Sequence, residues 1–221
     1  MKIEKTELWI TCKKPLEFPD GKALRGFFGN LYRNRPEFHH HNSGDNLIYS
    51  HPLIQYKIVE KSALIVGLKE GSYLLKAVPK LDHIELHHQN YAILEQKLHP
   101  STVSCGLTSE PVHYRFATPW VGLNERNHVE YMRIKHRKEL VSNLLRRILV
   151  GNILSMCKSL RYVVENKIEA VLDLEECAKV EIKRDVELVA FTGEFKVNFN
   201  IPDFWGIGKS SARGYGTVIR G

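Results

Sequence analysis

The chain has 221 residues, 43% hydrophobic and 26% charged, with a formal net charge of +7. That is enough apolar material for one large core or for two of about 100 residues each. No apolar run reaches the roughly 18 residues of a membrane span, and the start MKIEKTELWITC alternates charge with β-formers where a signal peptide would build an apolar core, so a soluble, cytoplasmic protein with no membrane partner is expected.

The opening stretch KTELWITC alternates as a strand does, and after the turn signal PDGK the segment ALRGFFGNLYRN puts Leu24, Phe27, Phe28 and Leu31 at helical spacing. PLIQYKIVEKSALIVGL reads as two β-rich runs joined by a short charged turn. GSYLLKAVPK reads as a brief helix, and DHIELHHQNYAILEQKL as one or two strands. The order β-α-β-β-α-β is ferredoxin-like. In the second half HYRFATPW is a strand, followed by the strongest helix, HRKELVSNLLRRILVGNILSMCKSL. Its stripe is Leu140, Leu144, Leu145, Ile148, Leu149, Ile153 and Cys157. KIEAVLDLEE, AKVEIKRD and VELVAFTGEFKVNFNIP follow as strands, then a glycine-rich loop and a closing strand TVIR. With no second helix evident there, the second half is expected to be a degraded copy of the first. The boundary is expected near residues 100 to 112, where Pro, Ser, Thr and Gly cluster, giving domains 1–110 and 111–221.

The four cysteines, Cys12, Cys105, Cys157 and Cys177, never form C-x-x-C, so they are read as reduced core residues and not as zinc ligands. The positive charge is shared between the halves, +3 in residues 1 to 115 and +4 in 116 to 221, a balance compatible with a polyanionic partner but not diagnostic of one.

The loop GIGKSSARGYG, residues 206 to 216, is the most specific stretch. It lacks the third glycine of a dinucleotide fingerprint, since Ser211 stands there, and the first glycine of a P-loop, since Asp203 stands there; in neither case does a helix follow. What remains is a loop in which Gly206, Gly208, Gly214 and Gly216 let the backbone approach a phosphate chain. Backbone N–H groups, Lys209, Ser210, Ser211 and Arg213 are the donors, and Phe204, Trp205 and Tyr215 are placed either to stack on bases or to close the core. A plain hairpin turn is the bland reading.

The segment PEFHHHNSGDN holds three adjacent histidines inside the chain. A tag remnant is excluded by position. A metal site lacks Cys, Asp or Glu at ligand spacing, so no metal or other cofactor is expected; a solvated loop and an acid–base pair both remain. If residues 38 to 42 are extended, His39 and His41 lie on one side about 6 to 7 Å apart and straddle a phosphate; if they are helical, the pair diverges.

The glycine, apolar, glycine, five residues, glycine, aromatic, glycine pattern before a short terminal β run resembles the signature loop of the RAMP superfamily of CRISPR-associated proteins. ALRGFFGNLY, the histidine cluster, HPLIQYKIVEKSALIVGL, ATPW, GNILSM and GEFKVNFNIPDFWGIGKSSARGYGTV stand in the order of one branch, the endoribonucleases that cut CRISPR repeat transcripts into guide RNAs. The resemblance is nearly end to end and implies two tandem ferredoxin-like domains of α+β class. It further implies CRISPR repeat RNA as partner and a His-x-His pair mapping onto His39 and His41. The implied reaction is metal-independent: one imidazole deprotonates the ribose 2′-OH and the other protonates the departing 5′-oxygen, leaving a 2′,3′-cyclic phosphate and a 5′-OH. Arg33, Arg35 and Lys57 are near enough in sequence to offset charge on the phosphorane. His51 is not assigned, and His83, His87, His88, His99 and His113 read as surface or strand residues. The same fold and loop also suit a non-catalytic RAMP subunit that holds guide RNA. Action as a homodimer or docked on a multi-subunit effector complex is compatible with the sequence.

Overall fold

The computed structural model describes residues 1–39, 51–183 and 186–221. These fall into two compact units, Lys2–Val103 with Ala212–Gly214, and Met1 with Ser104–Ser211 and Tyr215–Gly221.

The first unit contains β1 (Lys2–Cys12), α1 (Asp20–Leu31), α2 (Pro36–His39), β2 (Ile54–Val59), β3 (Ser62–Leu68), α3 (Glu70–Lys76), β4 (His83–Leu86) and β5 (Gln89–Ser104). Its sheet runs β2-β3-β1-β5-β4. With the short β4 hairpin arm and α2 set aside, this is the expected β-α-β-β-α-β chain wound into a ferredoxin-like sheet. Period-two alternation assigns the faces. In register, Leu8, Ile65 and Tyr56 form one row and Ile10, Ala63 and Ile58 the next, and they join Leu24, Phe28 and Leu75 in the core. The opposite face carries the rows Glu7, Val66, Gln55 and Trp9, Leu64, Lys57. Both hairpins close through two residues of positive φ, Glu60 (48°) with Lys61 (62°) and His87 (51°) with His88 (61°), the turn whose twist matches that of the strands. Of the α1 stripe, Leu24 and Phe28 are buried while Leu31 is exposed.

The second unit contains β6 (Gly106–Phe116), α4 (Glu125–Ile134), α5 (Lys138–Ser159), β7 (Ala170–Lys183), β8 (Val186–Asn200) and β9 (Val218–Arg220). Its sheet order, β7-β8-β6-β9, repeats the first permutation. The second crossover is reduced to a single 3-10 turn, Ser211–Arg213, so the second domain is the degraded ferredoxin-like copy. KIEAVLDLEE and AKVEIKRD fuse into the one strand β7. The Pro-, Ser-, Thr- and Gly-rich stretch from 100 to 111 is extended, β5 running to Ser104 and β6 beginning at Gly106.

Helix α5 buries Leu144, Leu145, Ile148, Leu149, Ile153, Met156 and Cys157. Leu140, expected on that stripe, is exposed because it lies in the first turn, ahead of the packed segment. Helix α4 escapes the sequence reading because only Tyr131 is buried on it, leaving no apolar stripe. Its signal is local: Asn124 caps it by accepting from the Asn127 N–H at 2.8 Å, and Tyr131 donates its hydroxyl to Glu176 on β7. All four cysteines are free; Cys12, Cys105 and Cys157 are buried, and Cys177 is half-buried. Burial pushes the Cys12 and Cys157 thiols up to about 11 and Cys105 up to about 12, which suits unreactive core residues.

Candidate nucleic-acid interface and active site

His39 closes α2. Its side chain and all of His41 lie outside the described residues, as does the peptide stretch between them. Residues 36 to 39 are helical, so the extended geometry considered for residues 38 to 42 does not hold at Phe38 and His39. What the structure specifies is how the chain enters the histidine triplet. Phe38 is buried, stacking on Tyr32 at 4.3 Å between ring centroids and on Phe28 at 6.4 Å. Its carbonyl accepts the Tyr56 hydroxyl at 2.9 Å, a buried bond from the edge strand β2. The residue before His39 is therefore fixed by both side chain and backbone, the kind of support that holds a reacting group in place.

Arg33 and Arg35 are exposed just before this helix, but Lys57 is not: it is wholly buried on the sheet face opposite the aromatic core. Its ammonium donates to Gln55 Oε1 at 2.9 Å; the Gln55 amide nitrogen lies 3.1 Å from His51 Nε2, and Lys5 pairs with Glu7 at 2.6 Å on the same face. A sequence reading places any lysine at the surface; here strand alternation turns it inward. In this arrangement Lys57 offers no exposed charge to a phosphate.

Burial, with repulsion from Lys5, lowers the Lys57 pKa from 10.5 to about 7. Between those values the unfolded chain binds the proton and the folded chain does not, so this group makes stability rise with pH across that window, and its cost is fully present below pH 7. Lys57→Met is therefore expected to raise the Tm more at pH 6 than at pH 9. Melting curves over that range check it; a gain that does not vary with pH contradicts the assignment.

In the glycine-rich loop Gly206, Gly214 and Gly216 are buried. Gly216 has φ +61°, and a side chain there would run into the Ile207 carbonyl; Gly208, at φ +89°, would meet Trp120 Nε1 at 2.7 Å. Three backbone donors are used internally: Ile207 N–H to Gly216 O, Lys209 N–H to Val121 O and Gly216 N–H to Pro119 O, each at 2.9 Å. The close approaches at Gly208 and Gly216 make the loop fold tightly, and these three N–H groups are taken up by the protein itself. Trp205 is buried and closes the core, Phe204 and Tyr215 are half-buried, and Ser211 is buried. The outward donors are Lys209, exposed, with Ser210 and Arg213 half-buried. Within the first unit the 212–214 segment lies on α1 and β2: a Cβ on Gly21 would meet Arg213 O at 3.1 Å, and one on Gly214 would meet Tyr56 O at 3.2 Å. Arg213 is close enough to Arg25 of α1 to lower its pKa, after desolvation the largest influence on it.

Residues 1–104 match the family model of the Cas6b N-terminal domain, and residues 106–221 that of the Cas6b C-terminal domain. The chain belongs to the Cas6b family. A crystal structure of Cas6b is 33% identical with TM-score 0.91, and one described as the CRISPR RNA processing endoribonuclease Cas6b is 32% identical with TM-score 0.75; both are covered in full, as is this chain. An uncharacterized protein of Methanocaldococcus jannaschii is 45% identical over 117 residues, 52% of this chain and 76% of that protein. Thermus thermophilus Cas6, 15% identical with TM-score 0.56 over 100% of this chain and 99% of its own, shares the fold.

In this Cas6b chain two candidate site residues carry no local signal in the sequence. Arg25 stands inside ALRGFFGN, where only the apolar stripe was read, and the repulsion it feels from Arg213 is a tertiary effect without a local signal. Tyr56 reads as an alternating strand residue; only the fold shows its hydroxyl meeting Phe38. The unassigned histidines fall where expected: His83, His87, His88 and His99 are exposed, and His113, on β6, lies 2.9 Å from Glu194.

Proposed function

We propose that this Cas6b family member cleaves CRISPR repeat RNA by metal-independent transesterification, with the substrate's own 2′-OH as nucleophile and His39 and His41 moving the two protons. The carrying observation is the full-length similarity to the CRISPR RNA processing endoribonuclease Cas6b. The anchoring of Phe38 supports it, because a proton-transfer group must be held within hydrogen-bond reach of the atom it serves. The ribose hydroxyl attacks the adjacent phosphorus and loses its proton to one imidazole. The P–O5′ bond breaks as the other imidazole protonates the leaving oxygen, leaving a 2′,3′-cyclic phosphate and a 5′-OH. Arg25, Lys209, Ser210 and Arg213 bind the backbone, with Arg33 and Arg35 near the reacting phosphate. In this reading residues 1–110 carry the histidines and 111–221 the glycine-rich loop.

The test is the repeat encoded beside the gene, with one 2′-deoxy nucleotide at the scissile position. Cutting is expected to vanish while binding persists, and excess EDTA is expected to leave cleavage of the all-ribose repeat unchanged. Tight binding without cleavage at every pH from 5 to 9 would transfer the assignment to a guide-RNA scaffold; loss of cutting in EDTA would transfer it to a metal nuclease.

Lys209→Ala with Arg213→Ala is expected to weaken repeat binding about 10- to 100-fold and to reduce the slope of log K against log salt by about 1.5, as two phosphate contacts are lost. Filter binding from 50 to 300 mM salt measures both; an unchanged slope contradicts phosphate contact by this pair.

A further inference from the structure

A groove of about 990 Å³ opens in the second unit, lined by α5, the stretch before β7, and β6, β7 and β8. None of its described lining residues belongs to the glycine-rich loop. Its exposed cations are Arg146, Lys167 and Lys196; Arg147 also lines it but is paired with Glu130 at 2.8 Å. The acid on this rim is Glu169, 3.6 Å from Lys167. The surrounding field has the same sign: residues 125 to 147, covering α4 and the first half of α5, carry seven Lys and Arg against three Glu, more than half the net charge of the chain in about a tenth of its length.

We infer that this groove is a second site for the phosphate backbone of RNA, built from residues other than those of the glycine-rich loop. Reading RNA as the ligand rests on the proposed function; the site itself does not. The lining distinguishes backbone from base and from protein. Among the described residues no Phe, Tyr, Trp or His lines the groove, so they offer no platform on which to stack an unpaired base. The same absence removes the aromatic anchors that dominate protein interfaces, while the floor offers short aliphatic groups such as Val150 and Ala170. Exposed cations beside Asn143 and Asn166, whose amides can donate, suit phosphate and ribose oxygens. Such a site recognises nucleic acid without reading its sequence. It gives a long transcript a second hold while the cleavage site is occupied.

The experiment measures full-length protein binding to the repeat RNA carrying the uncleavable 2′-deoxy nucleotide, so that it reads affinity whether or not the protein cuts. Arg146→Ala, Lys167→Ala and Lys196→Ala together are expected to weaken binding about 10- to 100-fold and to lower the salt slope by about 2, with kcat on saturating all-ribose repeat unchanged. Glu169→Gln is expected to move affinity the opposite way, tightening it about two- to threefold. All four side chains are exposed, so folding is preserved. Unchanged affinity and slope in the triple variant would overturn the site and leave the groove as a surface for another protein. A drop in kcat with binding intact would also overturn it. A wild-type protein that binds but does not cut would sink the proposed reaction and leave this inference standing.

Discussion

Replacing either His39 or His41 with alanine is expected to lower the single-turnover cleavage rate about 10²- to 10⁴-fold, the usual contribution of a positioned proton-transfer group, while the Kd for uncleaved repeat changes by no more than about twofold. The split follows from chemistry: a neutral imidazole adds little to binding a polyanion, but without it a 2′-OH near neutral pH stays protonated. Since unperturbed histidine titrates near 6.5, a base and an acid of this type produce a bell-shaped rate profile centred near neutral pH, and losing one partner removes one limb. Rapid-quench kinetics from pH 5 to 9 on both variants check this. A matched loss of binding and rate, or full activity in either variant, contradicts the assignment.

Phe38→Ala is expected to be the most damaging single change outside the histidines. Emptying a buried phenyl site among Phe28, Tyr32 and Tyr56 costs about 3–5 kcal/mol, a large share of the 5–15 kcal/mol that holds a typical domain together. Urea titration measures that loss. Because a loss of that size also removes folded protein, Tyr56→Phe separates positioning from folding. It leaves the rings in place but strands the Phe38 carbonyl without its buried partner, for about 1–3 kcal/mol. In that variant kcat is expected to fall while the Kd for repeat RNA holds, since the residue preceding His39 has lost its backbone tether. Equal kcat in Tyr56→Phe and wild type would show that this tether does not serve the reaction.

Both results depend on an arrangement the sequence discloses only in part. The helical spacing of Leu24 and Phe28, the alternation of β1 and β3, and the stripe of α5 are period effects; they are legible because burial repeats every 3.6 or 2 residues. The repeated β-α-β-β order was visible for the same reason. Helix α4 was not, since a helix with one buried side chain leaves no periodic trace and only its Asn124 cap marks it. The glycine spacing of 206 to 216 identified the loop but suggested a cradle of free N–H groups; Ile207 spends its N–H on Gly216, and Lys209 and Gly216 spend theirs on the carbonyls of Val121 and Pro119.

By itself, then, the sequence determined the elements, their doubled order, the family resemblance and the types of residue available for chemistry, because each of these is written in local spacing or in a contiguous motif. Tertiary structure alone decided that Lys57 is buried beside Gln55 and Lys5, that Arg25 neighbours Arg213, and that Tyr56 holds Phe38. These pairs join different strands, helices and loops, or depend on which sheet face is covered. The free energy of such contacts depends on distance and desolvation in three dimensions, and neither has a signature along the chain.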